Sequence, residues 1–176
     1  MNDLTLIIPT KKESESLPSF LKELESYNFK KLIVLEKEDN ETKNSISNIK
    51  NIEILEQKKN GYGNALIEGI NATTSDFCCI INADGSMDPK YLNEMKELCK
   101  NIDFVFASRY SRGGGSDDDD LITYVGNFFF SFVGRVFFKL DISDILFTYI
   151  LGKTKKFKDL ELKYSDFRIC VELPIN

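Results

Sequence analysis

The chain has 176 residues, 42% of them hydrophobic, enough for one domain with a sizeable core. A formal net charge of −5 and a pI near 4.9 argue against a general nucleic-acid binder, although a local basic pocket for phosphate is compatible with them. Histidine is absent, which excludes histidine-based catalysis and histidine metal sites.

Strand-like sequence begins almost at Met1, so no signal peptide is expected. Leu4 to Pro9 reads as a buried strand. After the polar stretch Thr10 to Ser16, the residues Leu17, Phe20, Leu21 and Leu24 recur at helical spacing, with Pro18 in the first turn. A second apolar strand, Leu32 to Leu35, runs into Glu36 and an acidic segment, Lys37 to Glu41, that shows no regular pattern. Ile52 to Leu55 predicts a third strand. Beyond Glu56 to Gly63, a helix presents Tyr62, Ala65, Leu66, Gly69 and Ile70 on one face.

Phe77 to Ile81 is short, apolar and bounded by polar residues, as a strand buried on both faces should be. It stops abruptly at Asn82-Ala83-Asp84. Successive strand side chains alternate, so Asn82 and Asp84 project to one side, where two oxygen donors suit a hard divalent cation. An ordinary turn explains the same residues without a metal, because Asn, Asp and Gly favour turns for local backbone reasons. Gly85 permits a tight turn, Asp88 can cap, and Pro89 fits the first turn of a helix with Leu92, Met95, Leu98 and Cys99 on one face. Asp103 to Ala107 predicts a fifth strand. Cys78 and Cys79 fall on opposite faces of the fourth strand, and with Cys99 and Cys170 they read as buried reduced thiols, in keeping with a cytoplasmic protein.

Strands alternating with helices mean βαβ units and a largely parallel sheet, whose ligands bind outside the carboxyl ends of the strands. Polar residues cluster at each of those ends: Thr10 to Glu13, Glu36, Lys58 to Gly61, Asn82 to Asp84, and Ser108-Arg109. Glu13 or Glu36 can accept hydrogen bonds from a base or ribose. Lys58, Lys59 and the free amides at the start of the Gly61 helix can face phosphate, and Arg109 offers a planar fork for a second phosphate. Further along, Gly113 to Asp120 reads equally as a lid or a solvated loop. Leu121 to Leu140 holds the densest aromatic run, including Phe128 to Phe130, Phe132, Phe137 and Phe138. It reads as an amphipathic helix on a bilayer, with Lys153 to Lys158 on anionic headgroups, or as a core helix or dimer contact.

Several ordered motifs together resemble the inverting family 2 glycosyltransferases of GT-A fold, and within them the polyprenyl-phosphate sugar transferases such as dolichol-phosphate mannose synthase. Pro9 to Leu17 is similar to PxYNExxNL, Gly61 to Ile70 to GxGxAxxxGI, and Asn82 to Pro89 to DADGSxDP. Ala107 to Tyr110 with Gly113 to Gly115 is similar to GSRY and its glycines. Gly126-Asn127 matches a helix start and Asp144 the aspartate after it. The resemblance runs from Leu4 to about Asp144. It departs at Asn82, a neutral ligand where the family has aspartate, which should bind a cation more weakly.

The resemblance implies a Rossmann-like three-layer sandwich with a mainly parallel central sheet. It implies a UDP- or GDP-hexose bound by Pro9, Thr10, Glu13, Glu36, Lys58, Gly61, Asn82 and Ala83, with magnesium or manganese on Asn82 and Asp84. Asp84, Arg109 and Asp144 would be catalytic, and Ser108 and Arg109 would hold the phosphate of a polyprenyl acceptor at the cytoplasmic face of a membrane. Family chains continue with a strand and a basic segment, so residues 1–176 are expected to form a single GT-A domain, short at its C-terminus. Transfer to a glycan or protein hydroxyl, with Asp144 as base, and a nucleotide-sugar binding module without turnover are the alternatives.

Overall fold

The computed structural model describes residues 3–111 and 121–176, with side chains except at 121–128. Among the described residues, six strands form one sheet in the order β3-β2-β1-β4-β6-β5. β1 (Leu4–Thr10), β2 (Lys30–Leu35), β3 (Glu53–Glu56) and β4 (Phe77–Ile80) run parallel. β6 (Ile150–Lys153) is antiparallel to β4 and to the edge strand β5 (Phe104–Phe106). Two reversals restore the direction, so β5 points the same way as β1 to β4. All of β1 is buried, as a central strand covered on both faces requires.

The two faces carry separate cores. On one, α1 (Ser16–Glu23) and α4 (Leu92–Leu98) pack Leu17, Phe20, Leu92 and Met95 against Leu4, Leu6, Ile8 and Cys79. On the other, α3 (Tyr62–Ala72), α6 (Thr154–Asp159) and α7 (Ile169–Ile175) pack Leu66, Ile70, Phe157 and Ile169 against Ile7, Val34 and Cys78. This is the expected three-layer α/β sandwich. α3 lies flush on β1 because Gly69 brings no side chain: a methyl there would collide with Ile7 and press on Val34. All four cysteines are free and buried, and burial pushes Cys78 up to about 12 and Cys99 and Cys170 to about 11, the state of inert thiols.

Three expectations are corrected. The acidic segment after Glu36 is not irregular: its second half enters α2 (Asn40–Ser45), capped by Asp39, whose carboxylate accepts from the Thr42 amide at 3.2 Å. Only Thr42 is buried in this helix, so no apolar period announces it. Leu98 points outward at 49% exposure, while Leu92, Met95 and Cys99 are buried. Gly126-Asn127 lies inside α5 (Leu121–Phe138) and does not begin it. β6 was not anticipated at all. Its Gly152 leaves room for the rings of Phe104 and Phe157, and a four-residue strand broken by glycine carries no alternation to read. The expected loop at Gly113 to Asp120 falls outside the described residues.

Candidate active site

Because β5 regains the parallel direction, the residues after β1 to β5 meet at one edge. The turn before the antiparallel β6 brings Asp144 and Thr148 there as well. At the β1–β2 end lies a cavity of about 670 Å³ lined by Lys12, Glu13, Glu36, Glu38, Asp39 and Glu41. Glu36 pairs with Lys11 at 3.0 Å, and the Glu13 carboxylate accepts from the Ser16 hydroxyl. Burial alone would raise Asp39, but hydrogen bonds from the Lys12 and Thr42 amides outweigh it and hold the carboxyl below its usual range. That arrangement places Lys12 in the left-handed region at φ 58°. Pro9, Thr10 and Ala83 are buried, and the Thr10 hydroxyl donates to the Val34 carbonyl at 3.3 Å.

In the middle of the edge, the amides of Lys58 and Lys59 donate to the Glu68 carboxylate at 3.0 to 3.2 Å. Gly61, at φ 127°, opens α3. Of the first amides of this helix, expected to be free, that of Asn64 is taken: it donates to the Ser165 carbonyl at 3.3 Å. The backbone of 164 and 165 lies so close that a methyl at Gly61 or Gly63 would collide with it.

Gly85 makes the turn after β4 at φ 80°, and Asp88 accepts from the Lys90 amide at 2.9 Å beside Pro89. Oδ1 of Asp84, an exposed residue, accepts from the amide and hydroxyl of Ser86 at 2.9 and 2.6 Å. Asn82 accepts at Oδ1 from the Tyr62 phenol at 3.3 Å. The Tyr62 and Thr148 hydroxyls lie 2.7 Å apart. Burial foremost, with the nearby charge of Asp84, raises Tyr62, so it stays a neutral phenol. Among the described residues no group of three or more acidic or thiol side chains could hold a metal unaided. Two oxygen ligands do fit a cation whose remaining positions belong to water and a substrate's phosphates, the usual arrangement for magnesium.

At the far end the open fork expected of Arg109 is closed on Asp144. Nε donates to Oδ2 at 2.8 Å, Nη2 to Oδ1 at 3.0 Å, and the backbone amide to Oδ2 at 3.2 Å. The Asp144 side chain has 0% exposure and that of Arg109 20%. The guanidinium also lies 5.0 Å from the Phe147 ring. Ser108 and Ser143 share a 2.7 Å hydroxyl contact beside the pair. The Ile145 amide donates to Ser131 on α5 at 3.2 Å, which ties the helix to the Asp144 turn.

On α5, Phe129, Phe130, Phe132, Val136, Phe137 and Phe138 face outward, Phe137 at 74% exposure, with Arg135 exposed among them and Lys139 exposed just past the end of the helix. The reading of these aromatics as core is therefore corrected. Lys153 and Lys156 pair with Asp103 at 2.8 and 3.1 Å, and Lys158 donates to the Thr73 carbonyl at 2.8 Å. Among the described residues no helix is long and apolar enough to cross a membrane.

Sequence reasoning missed Thr148, Phe167 and the phenol of Tyr62, which it placed only on a helix face. Phe167 stacks on Tyr62 with ring centroids 4.9 Å apart. No local signal marks this pair, since its partners come from four separated stretches of chain.

Residues 5–161 match the model of the family described as Glycosyl transferase family 2. Uncharacterized glycosyltransferases of Mycobacterium bovis and Mycobacterium tuberculosis are each 30% identical over 107 residues, 60% of this chain and 48% of theirs. The chain thus spans about half the length of these curated relatives. Glucosyl-3-phosphoglycerate synthase from Mycobacterium tuberculosis, crystallised with Mn2+, UDP and glucosyl-3-phosphoglycerate, is similar with a TM-score of 0.72 at 12% identity, covering 97% of this chain and 63% of that one. Mannosyl-3-phosphoglycerate synthase from Rubrobacter xylanophilus gives a TM-score of 0.69 at 15% identity, covering 88% and 54%. At these identities the likeness is one of fold, the Rossmann-like GT-A sandwich.

Proposed function

We propose, because this chain belongs to glycosyl transferase family 2, that it moves a hexose from a UDP- or GDP-sugar to a polyprenyl phosphate at the cytoplasmic face of a membrane. The observation that carries the lipid acceptor is the exposed aromatic face of α5, tied through Ser131 and Ile145 to the Arg109–Asp144 pair. In this reading residues 1–176 act as one GT-A domain.

Glu13, Glu36 and Lys58 surround the nucleoside over a floor of Pro9, Thr10 and Ala83, with Gly61 beside them. Asn82 and Asp84 would hold magnesium or manganese, which when bound neutralises charge on the departing nucleoside diphosphate. Asp144 fixes the guanidinium plane of Arg109, and Ser108 stands beside it for the acceptor phosphate. A phosphate monoester, largely ionised near pH 7, needs no protein base: its oxygen bonds to the anomeric carbon as the bond to the diphosphate oxygen breaks. The lack of histidine is then no obstacle.

A second reading, transfer to a hydroxyl of a small phosphorylated acid, draws on the phosphoglycerate named for the structural neighbours. It needs a base, and Asp144, the candidate, directs both oxygens at Arg109. A transfer assay with UDP- and GDP-hexoses, with and without Mn2+, offered short polyprenyl phosphate or 3-phosphoglycerate, separates the readings. Glycosylated polyprenyl phosphate is expected. Product from phosphoglycerate alone would favour the second, and nucleotide binding without any product would leave a binding module.

A further inference from the structure

The segment between α6 and α7 is seated on the candidate site. Its Ser165 carbonyl meets the amino end of α3, where Gly61 and Gly63 leave it room. The Glu172 carboxylate, on α7, accepts from the amides of Lys163 and Tyr164 at 2.9 to 3.1 Å. α7 is itself anchored by buried Ile169, Cys170 and Leu173. From this seat Phe167 stacks on Tyr62 at an interplanar angle of 18° while remaining 72% exposed. So exposed a ring gains little from core burial; its defined contact is with one face of Tyr62.

Tyr62 passes the contact on. Its single phenolic proton goes to Asn82 Oδ1, so the Thr148 hydroxyl, 2.7 Å away, donates to the phenol oxygen. In this arrangement the carbonyl end of the Asn82 carboxamide faces Tyr62, and its oxygen keeps one lone pair for a cation. We propose that Tyr62 and Phe167 are positioning residues that hold Asn82 as a cation ligand, with Phe167 bracing the Tyr62 ring and the Tyr62 phenol orienting the carboxamide. The proposal rests on the nucleotide-sugar reading above and extends it to residues that touch neither cation nor sugar.

Calorimetric titration of the full chain with UDP and GDP, in Mn2+ and again in chelator, tests it. Tyr62→Phe keeps the stack and removes one hydrogen bond. It should weaken Mn2+-dependent nucleotide binding about fivefold and leave metal-free binding unchanged. Phe167→Ala should act in the same direction less strongly, and Phe167→Tyr should restore the wild-type value. Neither exposed-ring variant should lower Tm by more than about two degrees. Equal weakening with and without metal would assign the pair a merely structural role and overturn the proposal. So would unchanged Mn2+ dependence in both variants of a chain that binds nucleotide. A wild-type chain that binds neither nucleotide in Mn2+ would instead overturn the nucleotide-sugar reading, and the brace with it.

Discussion

At the β1–β2 end of the strand edge, several carboxylates surround an open cavity, three of them held by neighbours: Glu36 by Lys11, Asp39 by two amides, Glu13 by Ser16. At the β5–β6 end, one carboxylate is sealed from water against one guanidinium, with an aromatic helix pinned alongside. Partly exposed, separately held charges contribute little each and can be changed one at a time. A buried pair is worth little as a pair but costs several kcal/mol when one member is lost, because the other is left charged and dry. The first end can therefore vary in sequence, while the second is locked to the fold.

The sharpest break in this comparison lies between the two ends. Asp84→Ala should lower transfer by about a hundredfold or more, since it removes the only charged cation ligand proposed, while leaving both ends intact. Turnover at the wild-type rate would refute that assignment. Arg109→Ala should destabilise the fold by about 3 kcal/mol in urea denaturation by removing the guanidinium from the buried Asp144 carboxylate, and Arg109→Lys should not restore the two-pronged pairing. If either variant unfolds like wild type, the contrast between the ends fails.

Phe137→Ala should weaken binding to anionic vesicles about tenfold in flotation, as expected for one buried aromatic ring. Failure of the wild-type chain to bind such vesicles would sink the membrane contact. The smallest effect belongs to the open end: Asp39→Ala should cost about 1 kcal/mol through the lost α2 cap. The Asp39 carboxyl is held below its usual range. Its contribution is thus present above the unfolded value of about 3.9 and disappears as pH falls through the folded value. The variant's stability should accordingly fall less steeply in acid than that of wild type.

The sheet was legible where apolar runs are bounded by polar ones, as at Leu4 to Pro9 and Phe77 to Ile81, and the turn at Gly85 to Pro89 was legible from its backbone demands. α2 and β6 were not, since one has a single buried side chain and the other four residues around a glycine. Residue type told which groups stand at the edge but not what they hold: nothing in Arg109 or Asp144 alone says that they close on one another. Nor does Glu172 announce that it grips the 163–164 amides, a contact made by tertiary folding.

The insertion of β6 between β4 and β5 has a bearing on biosynthesis. β4 and β5 both leave the ribosome before Ile150–Lys153, the strand that pairs with each, so the nascent sheet carries two raw borders at once. Those borders can recruit another nascent copy as readily as they await their own strand. Slowing translation between the two regions should therefore raise the insoluble fraction more than slowing it earlier in the gene.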